Sequence, residues 1–240
     1  MRNSPGPPLD TTTQRLAIII KDLRRAALAI GLGVLLGCLG FYTISRQLLA
    51  AIQNHLHQKL AFFTVAEPFL AHLTVSLAMT IFTIMPMLSY FLWRALAKPF
   101  KLSRSLVFGF VLFSCLLFYS GAAFCYFITL PYGIDFLLGF QTEQLKPVIS
   151  ISDFVSFVSI FVLAFGLIFE LPIFMIFMAK IKILPRSIFE KNRRYAVLII
   201  SVIAALLTPT PDIFNMLLMG IPLYMLYELG IIVLKLLRIP

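Results

Sequence analysis

This sequence predicts an all-α membrane protein of six transmembrane helices with both termini in the cytoplasm, and three observations predict it. Of 240 residues, 60% are hydrophobic and 12% charged, against about 45–50% and about 25% in soluble domains. Apolar runs long enough to be spans, which need about 20 residues, recur along the chain. The basic residues gather in every second connection between those runs. This balance excludes an ordinary soluble enzyme, and 24 Phe with 8 Tyr exclude a solvated, disordered chain.

The elements follow in order. Residues 1–20 read as a polar N-terminal arm. Its Pro-rich start has no apolar core beside it and is not expected to be a cleavable signal peptide. Residues 21–240 read as one six-helix transmembrane domain. The first span, 26–49, follows Lys21, Arg24 and Arg25, and its Gly31, Gly33, Gly37 and Gly40 are expected to admit a neighbouring helix. A polar loop carrying Gln53, Asn54, His55, His57 and Lys59 leads to Glu67-Pro68. The second span, 69–93, contains Pro86, which a membrane helix tolerates when neighbours satisfy the freed carbonyl. The third, 105–130, is expected to end at Pro131, and the fourth, 154–178, contains Glu170 and Pro172. The fifth, 195–207, has 13 residues. At 1.5 Å per residue that is about 20 Å, short of a ~30 Å hydrocarbon core. The Pro209-Thr210-Pro211-Asp212 turn would then lie below the far membrane surface, unless the bilayer thins there. The sixth span is 213–237.

Loop charges orient the chain. The N-terminal arm, the second–third and fourth–fifth connections and the C-terminal end hold 17 of the 20 Lys and Arg residues. The opposite side holds Arg46, Lys59 and Lys146 against Glu67, Asp135, Glu143, Asp153 and Asp212. Cytoplasmic loops concentrate Lys and Arg, so both termini are expected inside. The net charge of +10 is thereby accounted for by topology, and no nucleic-acid partner is needed.

Two acids, Glu170 and Glu228, fall within spans. A carboxylate at the bilayer centre costs about 2.5–3.5 kcal/mol, so such groups usually face a cavity or a partner. Glu170 stands two residues before Pro172, where a distorted helix frees backbone groups, and is the stronger functional candidate. A protonated, hydrogen-bonded structural acid is the competing reading of Glu170, and the favoured one for Glu228. Cys38, Cys115 and Cys125 lie in apolar runs without CxxC spacing and read as buried small hydrophobes. His55, His57 and His72 have no completing Cys or acid, so no metal is expected. No nucleophile elbow, zinc helix, P-loop or dinucleotide turn is present, so neither an enzyme nor a cofactor is expected.

Several segments together resemble the TatC family, the multispanning component of the twin-arginine (Sec-independent) protein translocase. Ala164-Phe165-Gly166-Leu167-Ile168-Phe169-Glu170-Leu171-Pro172 is similar to the family's AFGxxFExP signature. Leu207 to Asn215, continuing through Ile221-Pro222-Leu223 to Leu226-Tyr227-Glu228, is similar to a second motif. Leu116-Leu117-Phe118-Tyr119 with Gly121, Phe124, Tyr126, Phe127 and Pro131, then Glu67-Pro68-Phe69, Tyr90 and Trp93, complete a likeness spanning roughly residues 15–238. The resemblance implies six helices with a short fifth and sixth in a bacterial inner membrane. It also implies twin-arginine signal-peptide binding at the cytoplasmic face and assembly with TatA-like and TatB-like single-span proteins in an oligomeric receptor complex. Transport of folded cargo would be driven by the proton-motive force. It makes Glu170 the intramembrane site for a partner helix, and Glu67, Pro68, Asp212 and Asn215 functional positions on the periplasmic side.

Departures fall on the signal-reading face. The family's N-terminal HLxELRxR pattern here reads Ile19-Ile20-Lys21-Asp22-Leu23-Arg24-Arg25-Ala26, which keeps an acid at Asp22 and an arginine at Arg24. Where the family carries a second acid, this chain has Ser103, between Lys101 and Arg104. Guanidinium groups bind best to fixed carboxylates. Losing one is expected to cost about 1–3 kcal/mol. The fourth helix has Phe154 at the family's Tyr position. Two readings therefore stand: a translocase receptor with altered signal recognition, or a divergent assembly paralogue that binds partner helices and reads arginine pairs poorly. A solute transporter would be expected to show inverted repeats, and no internal repeat is found.

Overall fold

The computed structural model describes residues 11–56, 60–139, 149–207 and 213–238. Its elements are mostly helices: α1 (Thr11–Leu56), α2 (Glu67–Ala97), α3 (Arg104–Phe124), α4 (Leu130–Leu138), α5 (Ile151–Phe169), α6 (Leu171–Lys180), α7 (Arg186–Lys191), α8 (Arg193–Leu207) and α9 (Ile213–Leu236). Two short strands, β1 (Leu60–Ala61) and β2 (Ile149–Ser150), pair in parallel. Among the described residues, five helical stretches are long and apolar enough to cross a membrane: Ala27–Leu56, Glu67–Phe100, Arg104–Phe136, Ile151–Lys180 and Met216–Leu236. The expected fifth span corresponds to α8, whose 15 residues make about 22 Å of helix and fall short of that length.

The boundaries differ from the expectations in four places. Helix α1 begins at Thr11, inside the stretch read as an arm, and runs to Leu56 through the supposed loop residues Gln53, Asn54 and His55. The extension is held where the His55 ring stacks on Tyr126, with centroids 4.4 Å apart, and its Nε2 lies 3.1 Å from the Tyr126 carbonyl. Pro131 does not end the third span. The preceding residues Cys125–Thr129 widen into a π turn, and the helix continues to Leu138. Proline has no N–H for the carbonyl four residues back and its ring collides with it, so a wider turn accommodates both. Pro172, by contrast, does break its helix, separating α5 from α6 at Glu170. Finally, α9 has 24 residues and is not short.

Glycines decide how closely the helices approach. Of the four in α1, Gly37 makes the tight contact: a Cβ there would sit 2.5 Å from Thr80 Cγ2, while Gly31 and Gly40 face open space. The α3–α5 crossing is about as close, and one of its contacts is to backbone. A Cβ on Gly121 would fall 2.8 Å from the Phe165 carbonyl oxygen, and one on Gly166 2.6 Å from the Phe118 ring. A backbone oxygen cannot swing aside as a side chain can. Gly121→Val is therefore expected to destabilise the protein by about 1–3 kcal/mol. Gly31→Ala should leave stability unchanged or slightly raised, since alanine favours helix. Soluble fraction after heating in detergent separates the two.

Candidate functional site

The break between α5 and α6 places Glu170 inside the helix assembly. Its backbone N–H bonds the Leu167 carbonyl at 3.1 Å, and its own carbonyl starts the next helix by accepting from Ile173 and Phe174. The residue is only 3% exposed. Facing it, Ser114 on α3 donates its hydroxyl proton to Glu170 Oε2 at 3.2 Å. Trp93, near the end of α2, donates its indole N–H to Ser114 Oγ at 2.7 Å.

The direction of this chain is fixed by chemistry. An indole can only donate, so Ser114 must accept from Trp93 and has one proton left, for Glu170. Oε2 is thus satisfied. Oε1 is buried and has no hydrogen-bond partner among the described residues. A buried polar atom left alone costs about 1–3 kcal/mol, and an ordered water or a donor on a partner would satisfy it. Aromatic rings wall the network. Trp93 is fully buried, stacks on Phe110 with centroids 5.0 Å apart, and touches Phe174 and Phe177. Phe118, Phe165 and Phe169 close the α3–α5 side. Sequence reasoning singles out Glu170 and Trp93 separately but passes over Ser114, one of several serines on apolar helices. Its 56-residue separation from Glu170 leaves no local signal.

A second polar cluster lies at the opposite edge from the basic loops. Glu67, in the first turn of α2, accepts from the Phe63 N–H at 3.1 Å, the Thr64 hydroxyl at 3.4 Å and the Ser150 hydroxyl at 3.2 Å. Ser150 in turn caps α5 by accepting from the Asp153 N–H. Beside it, Leu60 and Ala61 pair with Ile149 and Ser150. Glu67 therefore latches the β1 and β2 connections together, with Pro68 entering the helix where a missing N–H is harmless.

The candidates at the end of the basic loops are placed less closely. Ser103 is the N-cap of α3, accepting from the Leu106 N–H at 3.4 Å, and Arg104 beside it is exposed. Asp22 and Arg24 lie on α1 by their backbone. Gly37 against Thr80 and Gly33 near Met87 set α1 antiparallel to α2, so the start of α1 runs towards the end of α2 and the Ser103 connection. The side chains of Asp22, Arg24 and Asn215, and all of Asp212 and His57, lie outside the described residues. Glu228 has a partner that its sequence neighbours do not reveal: Arg193 at the start of α8, 3.0 Å away, with the Tyr224 hydroxyl donating at 2.9 Å. Glu190 pairs with Arg186 at 3.1 Å and Lys235 at 3.5 Å. Among the described residues no group of three or more metal-ligating side chains occurs. Cys125 is buried; Cys38 and Cys115 are partly so.

Residues 18–222 match the family model of the Sec-independent protein translocase protein TatC. The Sec-independent protein translocase protein TatC of Desulforapulum autotrophicum is 35% identical over 225 residues, covering 92% of this chain and 82% of its own. The TatC protein of Carboxydothermus hydrogenoformans is 34% identical over 76% of each chain. Among solved structures, a crystal structure of the twin-arginine translocase receptor TatC in the detergent DDM superposes with a TM-score of 0.79 at 28% identity, covering 90% of this chain and 98% of that one.

Proposed function

The chain belongs to the TatC family, a multi-span component of the Sec-independent translocase, and on that premise we propose that it is the receptor subunit of a twin-arginine translocase in a bacterial inner membrane. In this reading six spans cross the bilayer with both termini cytoplasmic, α8 serving as the short fifth. The N-terminal part of α1, with Asp22 and Arg24, and the Ser103-Arg104 connection bind the signal peptide. Glu170 receives a polar side chain from a single-span TatA-like or TatB-like helix. Glu67, Pro68, Asp212 and Asn215 organise the periplasmic side, and the proton-motive force supplies the energy.

The orphaned Oε1 of Glu170 carries this reading. A helix assembly that only needed to be stable would have no use for an unpaired carboxyl oxygen among aromatic rings, and an incoming donor repairs the defect. The test is complementation: the protein should restore export of a folded reporter bearing a twin-arginine signal in cells lacking their own TatC. No export, despite normal expression and co-purification of partners, overturns the receptor reading.

The serine at position 103 favours one alternative, an assembly paralogue that binds partner helices without reading arginine pairs. Photocrosslinkers separate the two. The receptor crosslinks to signal peptide from Asp22 and Ser103; the paralogue crosslinks to single-span helices near Glu170 only.

A further inference from the structure

A cleft of about 520 Å³ opens between α3, α6 and α9, distinct from the Glu170 network. Its walls are apolar, from Phe110, Phe113 and Leu117 on α3 to Ile173 and Ile176 on α6 and Leu229 on α9. Two polar residues, Ser105 and Lys180, also line it, and both belong to the end near the basic loops. From Ser105 to Leu117 the α3 wall measures about 18 Å at the helical rise, close to the ~15 Å hydrocarbon depth of one leaflet. One backbone feature keeps the space open: Gly109, which borders the cleft, has nothing within 4 Å of where its Cβ would be.

The charge at the polar end is uncompensated. Lys180 is exposed and has no ion-pair partner among the described residues, and the same holds for Arg104 beside Ser105. The two carboxylates described on this side, Glu190 and Glu228, are already taken by Arg186, Lys235 and Arg193. An apolar slot one leaflet deep, ending in a free ammonium and a hydroxyl, matches one chemistry. We propose that this cleft binds an anionic glycerophospholipid, with an acyl chain along α3 between Phe113 and Ile176 and the headgroup phosphate held by Lys180 and Ser105.

The protein carries its own reporter. Trp93 is its single tryptophan, and it stacks on Phe110, which lines the cleft. A brominated acyl chain seated there should quench Trp93 fluorescence. The full-length protein, reconstituted with brominated phosphatidylglycerol or brominated phosphatidylcholine at equal mole fractions, should show quenching that favours phosphatidylglycerol about fivefold, as expected for one cation meeting an anionic lipid. Lys180→Gln should erase the preference and leave quenching by phosphatidylcholine intact, whereas Lys180→Arg should keep it. Gly109→Phe, which fills the slot, should weaken quenching by both lipids. Equal quenching by the two lipids in the unaltered protein, or a preference that survives Lys180→Gln, overturns the proposal. So does loss of quenching when a single-span peptide helix is added in equimolar amount, which would assign the cleft to a helix.

Discussion

Glu170→Lys is expected to abolish both export and co-purification of single-span partners, while Glu170→Gln retains most of the partner binding. The geometry explains the difference. In Glu170→Gln the side-chain carbonyl can still accept the Ser114 proton, so the Trp93–Ser114 chain is kept. The amide nitrogen then occupies the place of the orphaned Oε1 and can only donate, so binding is retained when the partner's polar group can turn to accept, as a hydroxyl or carboxamide does. Lysine provides no acceptor for Ser114 and puts an ammonium among Trp93, Phe110 and Phe177, where a bare charge costs several kcal/mol. Glu170→Ala is intermediate. It introduces no cation but leaves the Ser114 hydroxyl without its acceptor, at about 1–3 kcal/mol. Affinity purification from membranes, with each variant's yield matched by gel filtration, reads the outcome. Equal loss of partners in Glu170→Gln and Glu170→Lys would sink the idea that a hydrogen bond at Oε1 docks the partner.

What the sequence makes legible here is hydrophobicity, and what it hides is the fate of each polar interruption. The apolar runs place α2 and α5–α6 to within a few residues at most ends, because nothing polar competes at their centres. Four prolines inside spans show the limit. Pro86 and Pro222 pass inside intact helices, Pro131 is absorbed by a π turn, and Pro172 breaks the chain at Glu170. The same ring and the same missing N–H give three results, which the proline alone does not tell apart. Gln53 to His55 look like a loop by polarity, yet the Tyr126 ring and carbonyl hold them in helix.

The candidate site divides the same way. Glu170 stands out because a charge in an apolar run is costly wherever it is found. Ser114 does not, because a serine in such a run is ordinary until a carboxylate 56 residues away is placed against it. Glu228, read from the sequence as a protonated, hydrogen-bonded structural acid, does accept from Tyr224, but its partner Arg193, which pairs with it as an ion, is 35 residues distant and leaves no local signal. Pairings across helices are properties of packing, and packing turns on contacts such as Gly121 against the Phe165 carbonyl that a span prediction does not contain.

Ser103→Asp should strengthen binding of a twin-arginine signal peptide by roughly fivefold to more than a hundredfold. The figure follows from about 1–3 kcal/mol for a charge-assisted hydrogen bond, at 1.4 kcal/mol per factor of ten. The substitution is unusually clean. Ser103 caps α3 through its side-chain oxygen, which accepts from the Leu106 N–H. Aspartate is an equally good N-cap, and its charge suits the positive end of the helix dipole. The fold should therefore be unperturbed and the effect confined to the peptide. Lys101 and Arg104 flank the site and will draw some of the new charge to themselves, which sets the lower end of the range. Ser103→Asn is the matching control, since it keeps the cap without the charge and should leave affinity unchanged. Fluorescence anisotropy of a labelled signal peptide in detergent, repeated with its arginine pair changed to lysines, reads both effects. A gain in affinity that persists for the lysine peptide would mean general charge attraction, and no gain for either would place arginine recognition away from this connection.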